Sequence, residues 1–275
     1  MEQEYQKEGR GTSKVLCLPR IISDGMVLQR GQAARIWGRA LSGSSVCVIF
    51  QDRSYAAEAK EDGSWEIFLQ GMKAGGPFLL TVASGAEKIT VQNVYVGEVW
   101  VTSGQSNVEV NMERVKDRYP DEIHHCSNPN IRIYKVTEHY NFREPEAEHV
   151  SGEWKEACPE NLMAFSALSY FFAQYLAEEQ DVPVGIINAS LGGSPIQAWM
   201  SREALTAWPE KLALAEKFAD DAVVEAKLSD DARQQEAWYA DLAARDEGRT
   251  AEGKLSEAFG ADGWQPIELP GFFAS

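Results

Sequence analysis

The segment VGEVWVTSGQSNVEV, residues 96–110, begins as a continuous apolar run and changes to small polar residues after Val101. A run without polar alternation is typical of a strand buried on both faces of a parallel sheet. The polar residues after it are expected in the loop at the carboxyl end of the strand, where open α/β sheets bind their ligands. Ser103 and Ser106 are both candidate nucleophiles, and Ser106 is favoured because it lies beyond the strand end.

Two later apolar segments, IRIYKV (131–136) and VPVGIINAS (182–190), are predicted to be further strands, with a helix at 165–180 between them. The apolar residues at helical spacing, which we expect on the buried face of this helix, are Phe165, Leu168, Phe172, Tyr175 and Leu176. Continuous strands that alternate with helices favour an α/β fold, a parallel sheet with helices on both faces.

Residues 15–95 have a different pattern, because short apolar runs such as SVCVIFQ and SWEIFLQ alternate with turn segments such as EDGS. This pattern predicts an N-terminal antiparallel β-sandwich. The α/β domain is predicted over 96–262, incomplete, with a helical excursion at 202–260 that is rich in Ala, Glu, Asp and Lys.

The composition excludes some classes of partner. The formal net charge of −16 argues against binding to nucleic acid or to an anionic membrane surface, both of which need a positive patch. No apolar run is long enough to predict a transmembrane helix, and the polar N-terminus lacks the apolar core of a secretory signal. The chain as given is expected in the cytoplasm, or as a fragment without its leader. Its four scattered cysteines predict free thiols and no metal site.

A second polar loop, NASLGGSPIQAW (188–199), follows the third strand of the predicted parallel sheet. Gly192 and Gly193 allow the backbone of this loop to approach a ligand closely. Two loops at the carboxyl ends of two strands, one with a hydroxyl and one with backbone N–H donors, favour an ester or amide hydrolase. The alternatives are that Ser106 only caps a helix and that Gly-Gly is a plain turn. The G-x-S-x-G motif is absent, because position 108 is Val.

Several segments together resemble the sialate O-acetylesterase family. They are SDGMVLQRGQAARIWGRA (23–40), KAGGPFLLTV (73–82), VGEVWVTSGQSNVE (96–109) and VPVGIINASLGGSPIQAWMS (182–201). The resemblance implies an SGNH-type carbohydrate esterase, in which a β-sandwich precedes a flavodoxin-like hydrolase domain. A fainter resemblance at 263–271 implies that 263–275 is the start of an inserted β-rich domain. Family members are often secreted, periplasmic or lysosomal, so the compartment stays open.

The resemblance also assigns roles to residues. It implies that Ser106 is the catalytic nucleophile, and that its N–H and that of Gly192 or Gly193 form the oxyanion hole. Gln105 and Asn107 are expected to contact the substrate, an O-acetylated carbohydrate such as sialic acid. No cofactor is implied, and the oligomeric state is left open. The departures from the family pattern are Val108, Ser194 and Gln197, where the family has Met, Thr and Glu.

The family's catalytic base is missing from the sequence at its expected place. The base is a histidine in a D-x-x-H motif near the C-terminus, whereas no histidine follows His149 here. Residues 121–124 spell D-x-x-H, but they lie in a polar segment before the second strand, so a solvated loop is favoured over a base at His124. The base and its Asp are expected beyond residue 275. The alternatives to a sialate esterase are a non-catalytic carbohydrate-binding or scaffold protein and an acetylesterase acting on plant polysaccharide.

Overall fold

The computed structural model describes residues 15–246. In chain order the strands are β1 (Val27–Gln29), β2 (Ala34–Arg39), β3 (Ser45–Phe50), β4 (Arg53–Glu58), β5 (Ser64–Leu69), β6 (Gly75–Ser84), β7 (Glu87–Gly104), β8 (Asn128–Lys135), β9 (Trp154–Ala157) and β10 (Val184–Ser190). The α-helices are α1 (Ser106–Glu109), α2 (Pro120–His125), α3 (Pro159–Leu162), α4 (Ala167–Gln180), α5 (Arg202–Leu205), α6 (Pro209–Phe218) and α7 (Asp221–Arg245), and two 3₁₀ helices span Met112–Val115 and Ile196–Trp199.

The 18-residue strand β7 belongs to two sheet regions at once. Its first part pairs antiparallel with β6, and its last part pairs parallel with β10, from Val184 opposite Glu98 to Ser190 opposite Gly104. The resulting strand order is β4-β3-β6-β7-β10-β8-β9, with β1 also paired to β7. One uninterrupted strand therefore leads from the antiparallel region to the strand end that carries residues 104–107, called the serine loop below.

The predicted mixed α/β character is confirmed. The apolar segments that begin at residues 96, 131 and 182 are parallel neighbours, because β10 lies between β7 and β8 and runs in the same direction as both. The N-terminal strands are mainly antiparallel, and the two-stranded β2–β5 sheet shares one hydrophobic core with β3, β6 and β7. The sandwich, the flavodoxin-like assignment and the division at residue 95 stay predictions.

Strands of the N-terminal region bury every second residue in the first hydrophobic core. In β3 the buried residues are Val46, Val48 and Phe50, one on every second position, as expected for a strand with one face in the core. A second core lies between α4 and the parallel strands, with Tyr170 and Ala173 of the helix among its buried residues. This second core fixes the helix against the sheet beneath the serine loop.

The prediction of which α4 side chains are buried is wrong in part. Leu168 and Tyr175 are 42% and 62% exposed, and the helix residues fully buried against the sheet include Ser169 and Ala173. The physical reason is that the sheet presents polar groups here: the hydroxyl of Thr102 lies 2.8 Å from that of Ser169. A small hydroxyl side chain satisfies that surface, and a leucine would leave it without hydrogen bonds.

Residues from Arg202 form a second compact unit, separate from the unit that ends at Ser201. Its described part is helical, in α5, α6 and α7, and no residue of α6 or α7 is buried. Within 15–246 no helix is long and apolar enough to cross a membrane. The predicted start of an inserted domain at 263–275 lies outside the described residues.

Adjacent leucines on β6 give a matched test of the first core. Leu80 is fully buried and Leu79 is 55% exposed. We expect Leu80→Ala to lower the free energy of unfolding by about 2–5 kcal/mol, because it removes buried apolar surface and leaves a cavity. Leu79→Ala should change it by about 0.5 kcal/mol or less. Denaturant titration measures both, and equal losses would show that the register of β6 is not as described.

Candidate active site

The serine loop is set by a tight turn at the end of β7. Gly104 has φ 147°, where a side chain is strained, and a Cβ there would lie 3.0 Å from the Val108 side chain and crowd it. Gln105 is the N-cap residue of α1, and Ser106 is the first residue of the helix. The Ser106 side chain is exposed, and its Oγ lies 3.4 Å from Gln105 Oε1. The capping alternative for Ser106 does not hold, since the cap position belongs to Gln105.

The glycine loop, residues 191–194, lies directly beside the serine loop. The pairing of β10 with β7 continues past the strand end, because Leu191 N–H donates to Gly104 O at 3.0 Å. A Cβ placed on Gly192 would lie 3.6 Å from Ser106 Oγ. The structure therefore brings together the two loops that the sequence pattern selected.

Glu109, which the sequence analysis did not select, binds the glycine loop. The Gly192 N–H donates to Glu109 Oε2 at 2.7 Å, and a Cβ on Gly192 would collide with that same oxygen. The N–H expected to hold an oxyanion is thus occupied by a carboxylate. The N–H of Gly193, within residues 15–246, has no hydrogen-bond partner. Glu109 lies three residues after Ser106 on α1, and that spacing is the only trace of this contact in the sequence.

Gln105 and Ser194 also connect the two loops. Gln105 Nε2 donates to Ser194 O at 3.3 Å. Ser194 Oγ donates to Leu191 O at 2.6 Å and accepts from Trp199 Nε1 at 2.9 Å, so the hydroxyl fixes the turn. The family's Thr would keep this hydroxyl. Asn107 is exposed, and its side chain makes no hydrogen bond to any other residue in 15–246. Gln105 and Asn107 thus flank Ser106, one bonded across the loops and one open to solvent.

A buried polar network supports both loops from below. Asn188 Nδ2 donates to Thr102 Oγ1 at 3.0 Å, and Asn188 Oδ1 accepts from Ser190 Oγ at 3.1 Å. Ser169 of α4 completes the network through its contact with Thr102. Because Thr102 precedes the serine loop and Ser190 precedes the glycine loop, these bonds fix the two strand ends relative to each other.

No histidine of the described chain reaches the serine. His124 and His125 are exposed on α2, and His125 Nδ1 lies 3.1 Å from Asp121 O. His139 pairs with Glu146 at 2.8 Å, and the ring of His149 lies against Tyr134. Among residues 15–246 the hydrogen-bond partner of Ser106 Oγ is Gln105 and no imidazole, and no group of side chains there could hold a metal ion.

A serine at the carboxyl end of a parallel strand, beside backbone N–H groups of the neighbouring loop, is an arrangement that favours an ester hydrolase with an α/β fold. Residues 96–229 match the family model for "Carbohydrate esterase, sialic acid-specific acetylesterase". The sialate O-acetylesterases of Homo sapiens and Pongo abelii are each 30% identical over 203 residues, which cover 68% of this chain and 39% of the relative. The chain thus carries the acetylesterase domain of the sialate O-acetylesterase family over residues 96–229, and it spans about two fifths of the length of these relatives.

A solved structure supports the same assignment. The crystal structure of a carbohydrate acetylesterase from Xanthomonas citri has a TM-score of 0.67 and 35% identity to this chain. The match covers 69% of this chain and 43% of that one. The family resemblance expected from the sequence is therefore confirmed at the level of both sequence and fold.

The contact between Glu109 and Gly192 can be tested by amide hydrogen exchange. A hydrogen bond to a charged group contributes about 1.5–3 kcal/mol. We therefore expect Glu109→Ala to reduce the protection of the Gly192 amide about tenfold or more. Glu113→Ala, which removes a nearby exposed carboxylate, should leave that amide unchanged. Unaltered protection of Gly192 in Glu109→Ala would show that the contact does not hold the loop in solution.

Proposed function

We propose that the protein removes O-acetyl groups from carbohydrate, with O-acetylated sialic acid as the substrate, through a serine acyl-enzyme. The observation that carries the proposal is the position of Ser106 beside Gly192, at the joined carboxyl ends of β7 and β10. Family membership supports the carbohydrate ester as the substrate class. An acetylesterase acting on plant polysaccharide would use the same serine chemistry on another sugar.

In the proposed reaction Ser106 Oγ attacks the acetyl carbonyl carbon while a base takes the hydroxyl proton. The tetrahedral intermediate collapses, the sugar leaves as an alcohol with that proton, and the acetyl group stays on Ser106. Water then attacks the acetyl-serine and releases acetate. The charge on the carbonyl oxygen would be held by the N–H groups of Ser106 and Gly193, and by that of Gly192 once Glu109 has moved away.

The proposal needs a base that residues 15–246 do not place at Ser106. Free imidazole can supply one, and this makes the serine testable in the chain itself. With p-nitrophenyl acetate we expect low turnover, raised by imidazole well above the rate that imidazole gives with Ser106→Ala. General base catalysis contributes about 10²–10⁴-fold when the base is positioned, so a diffusing base should recover only part of this.

Ser103→Ala is the matched control, because Ser103 is exposed on the same strand end and has no proposed role. Its imidazole-stimulated rate should equal that of the unaltered chain. The proposal fails if Ser106→Ala and the unaltered chain hydrolyse the ester equally, with and without imidazole.

A non-catalytic carbohydrate-binding protein is the second candidate, because Ser106 has no imidazole partner in 15–246. In that case the same loops would contact a sugar without attacking it. Sugar binding that is unaffected by Ser106→Ala, together with no serine-dependent turnover under any condition above, would favour this function.

A further inference from the structure

The segment that follows the glycine loop exposes apolar side chains next to the candidate active site. The glycine loop ends at Ser194, and the chain then enters the 3₁₀ helix Ile196–Trp199. Ile196 is 74% exposed and Trp199 is 45% exposed. Apolar residues exposed singly are ordinary, whereas a group of them marks a binding surface. The exposed apolar residues of this segment, called the apolar ledge below, are Pro195, Ile196, Ala198 and Trp199.

Trp199 has its polar atom bound within the protein and its ring exposed. The indole Nε1–H donates to Ser194 Oγ at 2.9 Å, and Ser194 is buried. A tryptophan at a protein surface commonly has the opposite arrangement, with its apolar body packed inside and its N–H facing water. Because the only polar atom of the indole is already bound, the exposed ring offers a ligand an apolar contact and no hydrogen bond.

The residue that anchors Trp199 also joins the two loops of the candidate site. Ser194 Oγ donates to Leu191 O at 2.6 Å, and Ser194 O accepts from Gln105 Nε2 at 3.3 Å. Gln105 directly precedes Ser106. The indole is thus connected through one buried residue to the glycine loop and to the serine loop. A side chain held in this way loses little conformational freedom when a ligand binds, which favours affinity.

The groups around the two loops match the two kinds of surface that a sugar ring presents. A pyranose has an apolar face formed by its C–H groups and a polar edge formed by its hydroxyl groups. Small-molecule sites combine apolar and aromatic walls with a few polar groups that fix the orientation of the ligand. Trp199 offers the aromatic wall. The exposed side chain of Asn107, next to Ser106, has no hydrogen-bond partner in residues 15–246 and offers a polar group.

The size of the apolar ledge favours a small ligand over a protein partner. A stable protein–protein interface uses about 20–30 residues on each side. The apolar ledge consists of Trp199 and three smaller side chains, and a single sugar ring covers a surface of that size.

We propose that Trp199 is the platform on which the sugar ring of the ester substrate lies, with the apolar face of the ring on the indole. The inference rests on the proposed esterase function and adds to it a residue that determines specificity. Trp199 contacts the sugar, whereas Ser106 receives the acetyl group. Binding of a sugar should therefore depend on Trp199, and the reactivity of Ser106 toward a reagent without a sugar ring should not.

The test measures sugar binding in a chain that cannot turn the ester over. Isothermal titration of the Ser106→Ala chain with 9-O-acetyl-N-acetylneuraminic acid gives the reference affinity. Adding Trp199→Ala or Trp199→Leu should raise the dissociation constant about tenfold, as expected for the loss of one aromatic contact. Trp199→Phe keeps an aromatic ring and should change the dissociation constant by about threefold or less.

Trp100→Ala is the matched control. Trp100 is 46% exposed, nearly the same as Trp199, but it lies on β7, where its ring contacts Phe172 of α4. Its removal should leave the affinity for the sugar unchanged. The second readout is the rate at which diisopropyl fluorophosphate labels Ser106 in the presence of imidazole. Trp199→Ala, in a chain that retains Ser106, should leave this rate unchanged, because the reagent has no sugar ring.

Unchanged affinity in folded Trp199→Ala and Trp199→Leu chains, an equal loss in Trp100→Ala, or no binding of the sugar would each overturn the inference. Slower labelling of Ser106 in Trp199→Ala would also overturn it, because Trp199 would then hold the loops and not the sugar. Circular dichroism of each variant establishes that it is folded. The outcomes separate this inference from the proposed function. Sugar binding that depends on Trp199 without any labelling of Ser106 refutes the esterase alone, and labelling of Ser106 with affinity independent of Trp199 refutes the platform alone.

Discussion

The uninterrupted length of β7, which pairs with β6 and with β10, is the constraint on which the rest of the structure depends. This strand is antiparallel to β6 over its first part and parallel to β10 over its last, without a break between them. The antiparallel core therefore anchors the strand that ends at Gly104, two residues before Ser106. Sheet hydrogen bonds thus fix the strand end from which the turn to Ser106 begins, and the proposed nucleophilic role of Ser106 requires such a fixed position.

The contact of Glu109 with Gly192 changes how the site is understood. The Glu109 carboxylate oxygen accepts the backbone N–H that the proposed reaction would need for the oxyanion. Glu109 also lines a cavity of about 680 Å³, whose wall includes Phe165 and Asn188. Gly193 keeps a free N–H in the described structure, so the glycine loop retains one donor while Glu109 is in place.

The sequence was informative where a feature depends on neighbouring residues. The parallel strands follow from continuous apolar runs, and the two loops follow from Gly, Ser and Pro at strand ends. The buried face of α4 could not be predicted in the same way. Ser169 is buried against the hydroxyl of Thr102, which lies on a strand far away in the chain. Glu109 was missed for the same reason, because its hydrogen-bond partner Gly192 lies far away in the chain.

Ser106 and the glycine loop are proposed to form one reactive site. The most direct measurement is to treat the chain with a fluorophosphonate in the presence of imidazole and to locate the adduct by peptide mass spectrometry. Amide chemical shifts of Gly192 and Gly193 are recorded on the same sample. We expect a single adduct on Ser106 with shifted glycine amides. An adduct on Ser103, labelling spread over many serines, or an adduct on Ser106 that leaves both glycine amides unchanged would contradict it.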